Sequence, residues 1–503
     1  MTAIPLAAYP GMSPFVLDWL AGEERATQFL PRAGASAAHS PSPPPQLVQA
    51  LIDSNRQWGL FASNALRRWA AGGTTTIVGG QQVGFAGGPL YTLAKLATLV
   101  KMKRELEQRG QPATAFFWLA TEDHDFDEVA QLSLPVSGIE RDVNRQLNLL
   151  SVRERRAVES REMVGPMPIP ERLISEFLAL YGIERPSWLR PGVTFGDSFA
   201  ELIGTVFGDE VILVDALLPE LRRAGAALFG AIAARWKDIE RALASRAAEL
   251  QRAGYAPQVA ARENGAYTLL FEMGKDGVRH IIDSPREIDA ERISTSALTR
   301  PLLQDFVLRP DIFIGGPAEV AYYAQIAPLH PMLNVPMPRV ALRGHVLVAP
   351  KRVIRFMERY AINPQDVFSS PDSILADREP EGVAQIKGLA ADGRKQLLRR
   401  IESIGELALP ADHSLARAIS KSIGHIEYHF AKLTERAIKG LVRKDRERHT
   451  AARELVATLF PDGQVQDRIV GWLPYWYQFG RHLADRIVEE IEPDSASCKI
   501  ISL

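Results

Sequence analysis

One stretch, residues 74–128, constrains this chain more than any other: TTTIVGGQQVGFAGGPLYTLAKLATLVKMKREL, a short polar break at Gln108 to Gln111, then PATAFFWLATEDHDFDE. Thr74 to Val78 is a β-branched run that predicts a strand entering a glycine-rich turn, and Pro89 suits the opening of a helix because a first-turn N–H has no partner. Leu93, Leu96, Ala97, Val100 and Leu106 then recur at helical spacing. The free N–H groups of that helix start are expected to face the loop and make an anion site. Ala115 to Leu119 reads as a second, buried strand, followed at once by Glu122, Asp123, His124, Asp125, Asp127 and Glu128. Two strands of one sheet would set a phosphate cradle beside a carboxylate and histidine cluster at neighbouring strand ends, where open α/β sheets bind ligands.

The same grammar returns downstream. VILVDA ending at Asp215, IFIGG at 312–316 with Pro317 opening a helix, and MPRVALRGHVLV read as further strands, while residues 219–253 read as one long helix and 267–282 as a hairpin. The expected fold is an α/β, Rossmann-like parallel-sheet core over residues 1–375, with insertions at about 130–195 and 219–300. Residues 32–47, rich in Pro and Ser, are expected to be an exposed loop. From 376 to 460 strand signals vanish. Ala416, Ile423, Phe430 and Ala437 fall at one heptad position, and Ile419, Ile426 and Leu433 at the other, predicting a coiled-coil arm or helical hairpin with its turn at Gly405 and Pro410. The aromatic segment 461–503 is expected to pack back as a C-terminal helix and tail.

A chain of 503 residues exceeds one hydrophobic core. With 59 Lys and Arg against 60 Asp and Glu, no global field favours nucleic acid, although LVRKDRERH at 441–449 is a local basic run. The first residues do not read as a signal peptide and no apolar run is long enough to span a membrane, which with a single cysteine, Cys498, points to the cytoplasm. Its place near the chain end argues against a nucleophilic thiol.

The glycine loop carries neither Gly-Lys-Ser/Thr nor GxGxxG. Gly80, Gln81, Gln82, Gly84, Gly87, Gly88, Thr92 and Lys95 are the expected cofactor-binding set, the glutamines as hydrogen-bonding groups and Lys95 as a point charge. In the acidic cluster, His124 is expected as general base or hydrogen-bond donor, Asp123 or Asp125 to orient it or hold Mg²⁺, and Glu122 beside them in the same catalytic set. No second histidine or cysteine lies near enough in sequence for a zinc site. Tyr91, Asp127, Gly315, Gly316, Glu319, Tyr322, Arg339 and Arg343 complete the expected substrate set, the arginines (with Lys351) serving an anionic ligand.

GGQQVGFAGGPLYTLAKL, FFWLATEDHDFDEV and RPLLQDFVLRPDIFIGGPAEVAYYAQIAPL resemble, in order and spacing, the BshC family, the cysteine ligases of bacillithiol biosynthesis, over essentially the whole chain. The resemblance implies a nucleotidyltransferase-like core, a dimer through the helical arm, and addition of L-cysteine to the glucosamine amine of glucosaminyl malate. Since a free carboxylate needs activation, ATP, with Mg²⁺, is the expected activator. Neither HIGH nor KMSKS of the related synthetases is present. The contrasting expectation is a non-catalytic coiled-coil protein whose Rossmann-like body binds a nucleotide.

Overall fold

The computed structural model describes residues 2–32, 42–125, 131–135, 144–148, 161–376, 382–410, 412, 415–444 and 446–503. The chain forms two compact units, Met1–Ala349 with Pro461–Leu503, and Pro350–Phe460. The boundary thus falls earlier than residue 375. Helices Lys351–Arg359 and Pro371–Ala376 pack on helix Arg446–Leu459, burying Val353, Phe356, Ala452 and Leu455.

In chain order the strands are β1 (Thr2–Pro5), β2 (Thr75–Gln81), β3 (Ala113–Leu119), β4 (Gln131–Pro135), β5 (Asn144–Asn148), β6 (Ile212–Asp215), β7 (Leu270–Met273), β8 (Arg279–Ile282), β9 (Ile293–Thr295), β10 (Ile312–Gly315), β11 (Arg339–Leu342), β12 (His345–Ala349) and β13 (Ser497–Ser502). Five of them make a parallel sheet in the order β11-β10-β2-β3-β6. Every residue of β3 is buried, as a sheet covered on both faces requires. From β2 the chain steps to β3 and β6 on one side, then returns to lay β10 and β11 on the other. The gap between β2 and β10 is therefore a topological switch point, where the loops leaving the strands part and open a crevice.

MPRVALRGHVLV is divided between two sheets: β11 closes the parallel sheet, and β12 pairs with β13, which pairs in turn with β1. The hairpin at 267–282 forms as β7 and β8, with β9 added on the far edge of β7. The long helix expected over 219–253 is three helices, Pro219–Ala224, Ala226–Ala234 and Trp236–Arg252. A Cβ at Gly225, the first break, would lie 2.4 Å from Leu303 Cδ1, so close packing rather than helix propensity decides that point. The 32–47 loop falls largely outside the described residues, and its last part is already helical from Pro45.

In the second unit, helices Val383–Ala408 and Leu415–Lys444 run antiparallel as a hairpin. Arg394 pairs with Glu427, Gly393 faces Phe430, and Gly405 faces Ile419. Gly405 therefore lies within the first helix as a contact point and not at the turn. Ile419, Ile423, Ile426 and Phe430 are half-buried along this seam, whereas Leu433 and Ala416 are exposed.

Residues 461–503 return to the first unit, and this overturns one expectation. The first amide of helix α1 (Leu90–Gln108) is not left to the glycine loop: Leu90 N–H donates to Val470 O at 2.9 Å, and Gly88 N–H to Phe85 O. Trp472 Nε1 donates to Gly87 O at 3.0 Å, with its ring fully buried against the loop. Gly87 has φ +81°, and a Cβ there would lie 2.5 Å from the Trp472 ring. The glycines at 87 and 88 thus admit the tryptophan and a left-handed backbone. Gly87→Ala should destabilise the first unit by about 2–4 kcal/mol, the sum of left-handed strain and overpacking. Urea unfolding measures it, and an unchanged midpoint would contradict the packing described.

Candidate active site

A cavity of roughly 1130 Å³ opens at the carboxyl ends of the parallel strands. Gly80, Gln81, Gln82, Tyr91, Lys95, Glu122, Asp123, His124, Asp125, Gly316, Glu319, Tyr322 and Arg343 all line it. Gly84, Gly87, Gly88 and Thr92 do not, because the loop turns away toward Trp472. Gly315 ends β10 within the sheet, where a Cβ would meet Phe313 and Glu319. Arg339 begins β11, at the opposite end from the cavity, and pairs with Asp494. Lys351 belongs to the second unit, and Asp127 lies outside the described residues.

At the switch point, Lys95 is 2 % exposed. Its Nζ donates to Gly80 O at 2.7 Å, to Gln81 Oε1 at 2.9 Å and to Glu319. Glu319 Oε2 also accepts from Gly316 N–H at 2.7 Å, and Arg300 stands 3.9 Å from its other oxygen. Glu319 sits in the first turn of helix α2 (Pro317–Ile326), where the backbone also favours a negative charge. Burial pulls Lys95 below its usual value against the opposing charge of Glu319. Burial would raise the Glu319 carboxyl, but Lys95 and Arg300 outweigh it and hold it below the usual range. Lys95 and Glu319 consequently neutralise each other, and neither is left to bind a free phosphate or ammonium.

The second cluster follows β3. Glu122, 3 % exposed, accepts from Ser294 Oγ at 2.6 Å, from Thr295 Oγ1 at 2.8 Å and from the fully buried Arg222. Burial opposes its ionisation, yet Arg222 and Arg279 keep its carboxyl below the usual range. Removing one member of such a pair strands a buried charge, so Glu122 is structural in its contacts. Asp123 Oδ1 accepts from the N–H groups of His124 (2.7 Å) and Asp125 (3.1 Å), which shapes the loop. Arg279 lies with its guanidinium carbon 4.0 Å from the Phe271 ring centroid and donates to Thr295 O. Its NH1 is 2.8 Å from His124 Nδ1.

That last contact sets the chemistry of the histidine. A guanidinium only donates, so Nδ1 must accept, and a neutral ring then carries its proton on Nε2. Burial first, and Arg279 second, lower the His124 pKa below its ordinary value and favour the neutral ring. Of the two roles read from the sequence for His124, general base and hydrogen-bond donor, this geometry suits the donor, because the one lone pair of the neutral ring is already engaged.

Sequence reasoning missed Arg279, Arg222, Arg300, Thr295, His345 and Arg468. Arg222 and Thr295 hold Glu122, and the other four line the cavity. All come from segments distant in sequence from the acidic cluster; Arg300 opens the third family-like block, and the others carry no local motif. Trp118 Nε1 and both ring nitrogens of His345 are buried without a partner. A triphosphate does not fit the glycine loop, whose helix-start amide and lysine are both engaged. Among the described residues no group of three or more His, Cys, Asp or Glu is placed to hold a metal. Cys498 is fully buried in β13, with its thiol pushed well above the usual value by burial, and takes no part.

Two family models match the chain: "Bacillithiol biosynthesis BshC, N-terminal Rossmann-like domain" over residues 21–289 and 284–344, and "Bacillithiol biosynthesis BshC, C-terminal coiled-coil domain" over 346–503. Among curated proteins, one of Solibacter usitatus is 30% identical over 93% of this chain and 91% of its own length. One of Koribacter versatilis is 29% identical over 97% of each, and one of Bacillus cytotoxicus 25% over 88% of each. All three are named "Putative cysteine ligase BshC". With a Rossmann-like core, a helical-hairpin unit and matches to both domains across nearly its whole length, the chain belongs to the BshC family of bacillithiol biosynthesis.

Proposed function

We propose that this chain is a cytoplasmic ligase that joins the carboxyl group of L-cysteine to the glucosamine amine of glucosaminyl malate through an amide bond. What supports this reading is the convergence of the three family-like segments, near residues 80, 124 and 316, on one cavity at the switch point of the sheet. A nucleoside triphosphate with Mg²⁺ is the activator we propose for the cysteine carboxylate.

The chain's own residues have separable roles in this scheme. Asp123 and Asp125 take the cysteine ammonium, since Glu319 is already saturated by Lys95, Arg300 and Gly316 N–H. His124 Nε2–H points its proton at the oxygen that becomes negative when the amine attacks the activated carbonyl, a task worth about 2.7–4 kcal/mol for one preorganised donor. Arg343 faces the anionic end of the acceptor.

Incubating the purified chain with cysteine, glucosaminyl malate and ATP should yield the amide, read by product mass. No product, with intact fold and with other activating donors tried, would sink the ligase reading. His124→Gln, which keeps an N–H near the Nε2 position, should retain more activity than His124→Ala, which should lose roughly 10²–10³ in kcat. Equal loss in both would favour a base instead. Arg279→Met removes a cation beside the ring, so the His124 pKa should rise, as read by NMR titration of its imidazole, and an unchanged titration would contradict the contact.

Self-association through the helical hairpin is part of the same proposal. Leu389, Ile404, Leu407, Tyr428 and Leu433 are exposed there, Leu407 by 83 %. Leu407→Glu should shift sedimentation from dimer to monomer, and a wild-type chain that sediments as a monomer would remove the idea.

A further inference from the structure

Residues 253–269, all among the described residues, join helix Trp236–Arg252 to β7 with neither helix nor strand. A stretch of that length without regular structure is uncommon inside a compact domain and usually has a function of its own. Val259, Ala260 and Thr268 of this stretch line the cavity, and none of them can ionise. One end is fixed beside the helix, where Tyr255 donates to Asp18 at 2.7 Å and meets Phe15 edge-on at 5.2 Å. The other returns to the interior at Tyr267 and Leu269, both buried. Between them Ala260, Ala261, Glu263, Asn264 and Gly265 are exposed, and Arg262 closes a local turn by donating its N–H to Ala266 O at 2.8 Å. Arg262 also pairs with Asp283, whose side chain is 69 % exposed, so solvent screening leaves that pair little hold.

The middle is held by one side chain. Gln325 Nε2 donates to Val259 O at 2.7 Å, and Gln325 Oε1 accepts from Val259 N–H at 3.1 Å. An amide so placed does for Val259 what a neighbouring strand would do, satisfying both of its backbone groups. Gln325 is fully buried on α2, where Val320, Ala321, Ala324 and Ile326 are buried and apolar. An apolar side chain would fill that place without the burial of an amide, which is tolerated only when its hydrogen bonds are made. Packing alone therefore does not account for glutamine at 325. The same helix carries Glu319 and Tyr322 to the cavity, while Phe271, on the strand that follows the stretch, meets the His124 ring edge-on at 5.6 Å. Residues 259–268 thus connect the α2 flank of the cavity to its His124 flank.

We infer that residues 254–268 form a strap along the cavity mouth and that Gln325 is the positioning residue that pins it, through Val259, before substrate arrives. Gln325 acts on the wall that Val259 and Ala260 present and not on reacting atoms. A wall already held in place needs no ordering when a ligand docks, so the pin contributes to affinity and leaves the chemical step alone. Which ligand meets that wall rests on the ligase reading; the pinned strap does not.

The test compares the full-length wild type with Gln325→Met, which keeps the volume and loses both hydrogen bonds, and with Val259→Pro, which removes the pinned N–H without altering α2. Hydrogen exchange read by mass spectrometry should be about tenfold faster across residues 256–266 in both variants, with β2, β3 and α2 unchanged. With cysteine, glucosaminyl malate and ATP, KM for glucosaminyl malate should rise about tenfold while kcat stays within about twofold, the mark of lost uniform binding. Unchanged exchange at 256–266, exchange raised equally throughout α2 and the sheet, or a kcat loss at unchanged KM would overturn the strap. Faster exchange at 256–266 in a chain that makes no cysteine amide would defeat the ligase reading and leave the strap standing. Amide formation with wild-type KM in both variants would do the reverse.

Discussion

A single buried ammonium, that of Lys95, ties together the segments on which the cavity depends. It leaves α1, reaches the carbonyl at the end of β2, and meets the carboxylate at the start of α2. Burying such a charge alone costs several kcal/mol, and only a matched anion with further hydrogen bonds makes it tolerable. Glu319 supplies the anion, and Gly80 and Gln81 supply the other acceptors. The switch point between β2 and β10 is thus closed at its floor by an ion pair and open above it. Cavity-lining groups stand on either side, with the mutually compensated Lys95–Glu319 pair as the fixed base between them.

On one flank this floor continues into a second buried lattice, Arg222 to Glu122 to Thr295, which carries Arg279 toward His124. The imidazole is oriented by a cation instead of the carboxylate that more often faces a catalytic histidine. That inversion leaves the neutral ring with an N–H, not a lone pair, to offer. It also explains why an acidic run such as Glu122 to Asp125 is a poor guide to function by itself. Glu122 is spent on holding arginines, and one oxygen of Asp123 on shaping the loop, before any substrate is considered.

Much of the core was legible in the residues. β-Branched runs, glycine turns and a proline at each helix start announced β2, β10 and the helices after them, because those signals act within a few residues. The glycine loop misled for a physical reason. Positive φ at Gly87 and Gly88 serves equally to bring a backbone close to a phosphate or to a tryptophan, and the tryptophan lies 385 residues further along. The break of the 219–253 helix at Gly225 and the paths of Arg222, Arg279 and Arg468 into the site likewise depend on tertiary neighbours that no local pattern encodes. Arg339 and Arg343 differ by four positions in one segment, yet stand at opposite ends of a strand, which only the register of β11 decides.

β13 sits between β1 and β12, so residues 497–502 are the middle rung of a sheet whose outer rung is residues 2–5. Nearly five hundred residues must leave the ribosome before that opening segment finds its hydrogen-bonding neighbour. Until then Tyr9 and Arg468 have no reason to meet. Half-made chains should therefore carry the glycine loop and the acidic run while β1, and the cavity-lining Tyr9 just after it, still wait for the last strand.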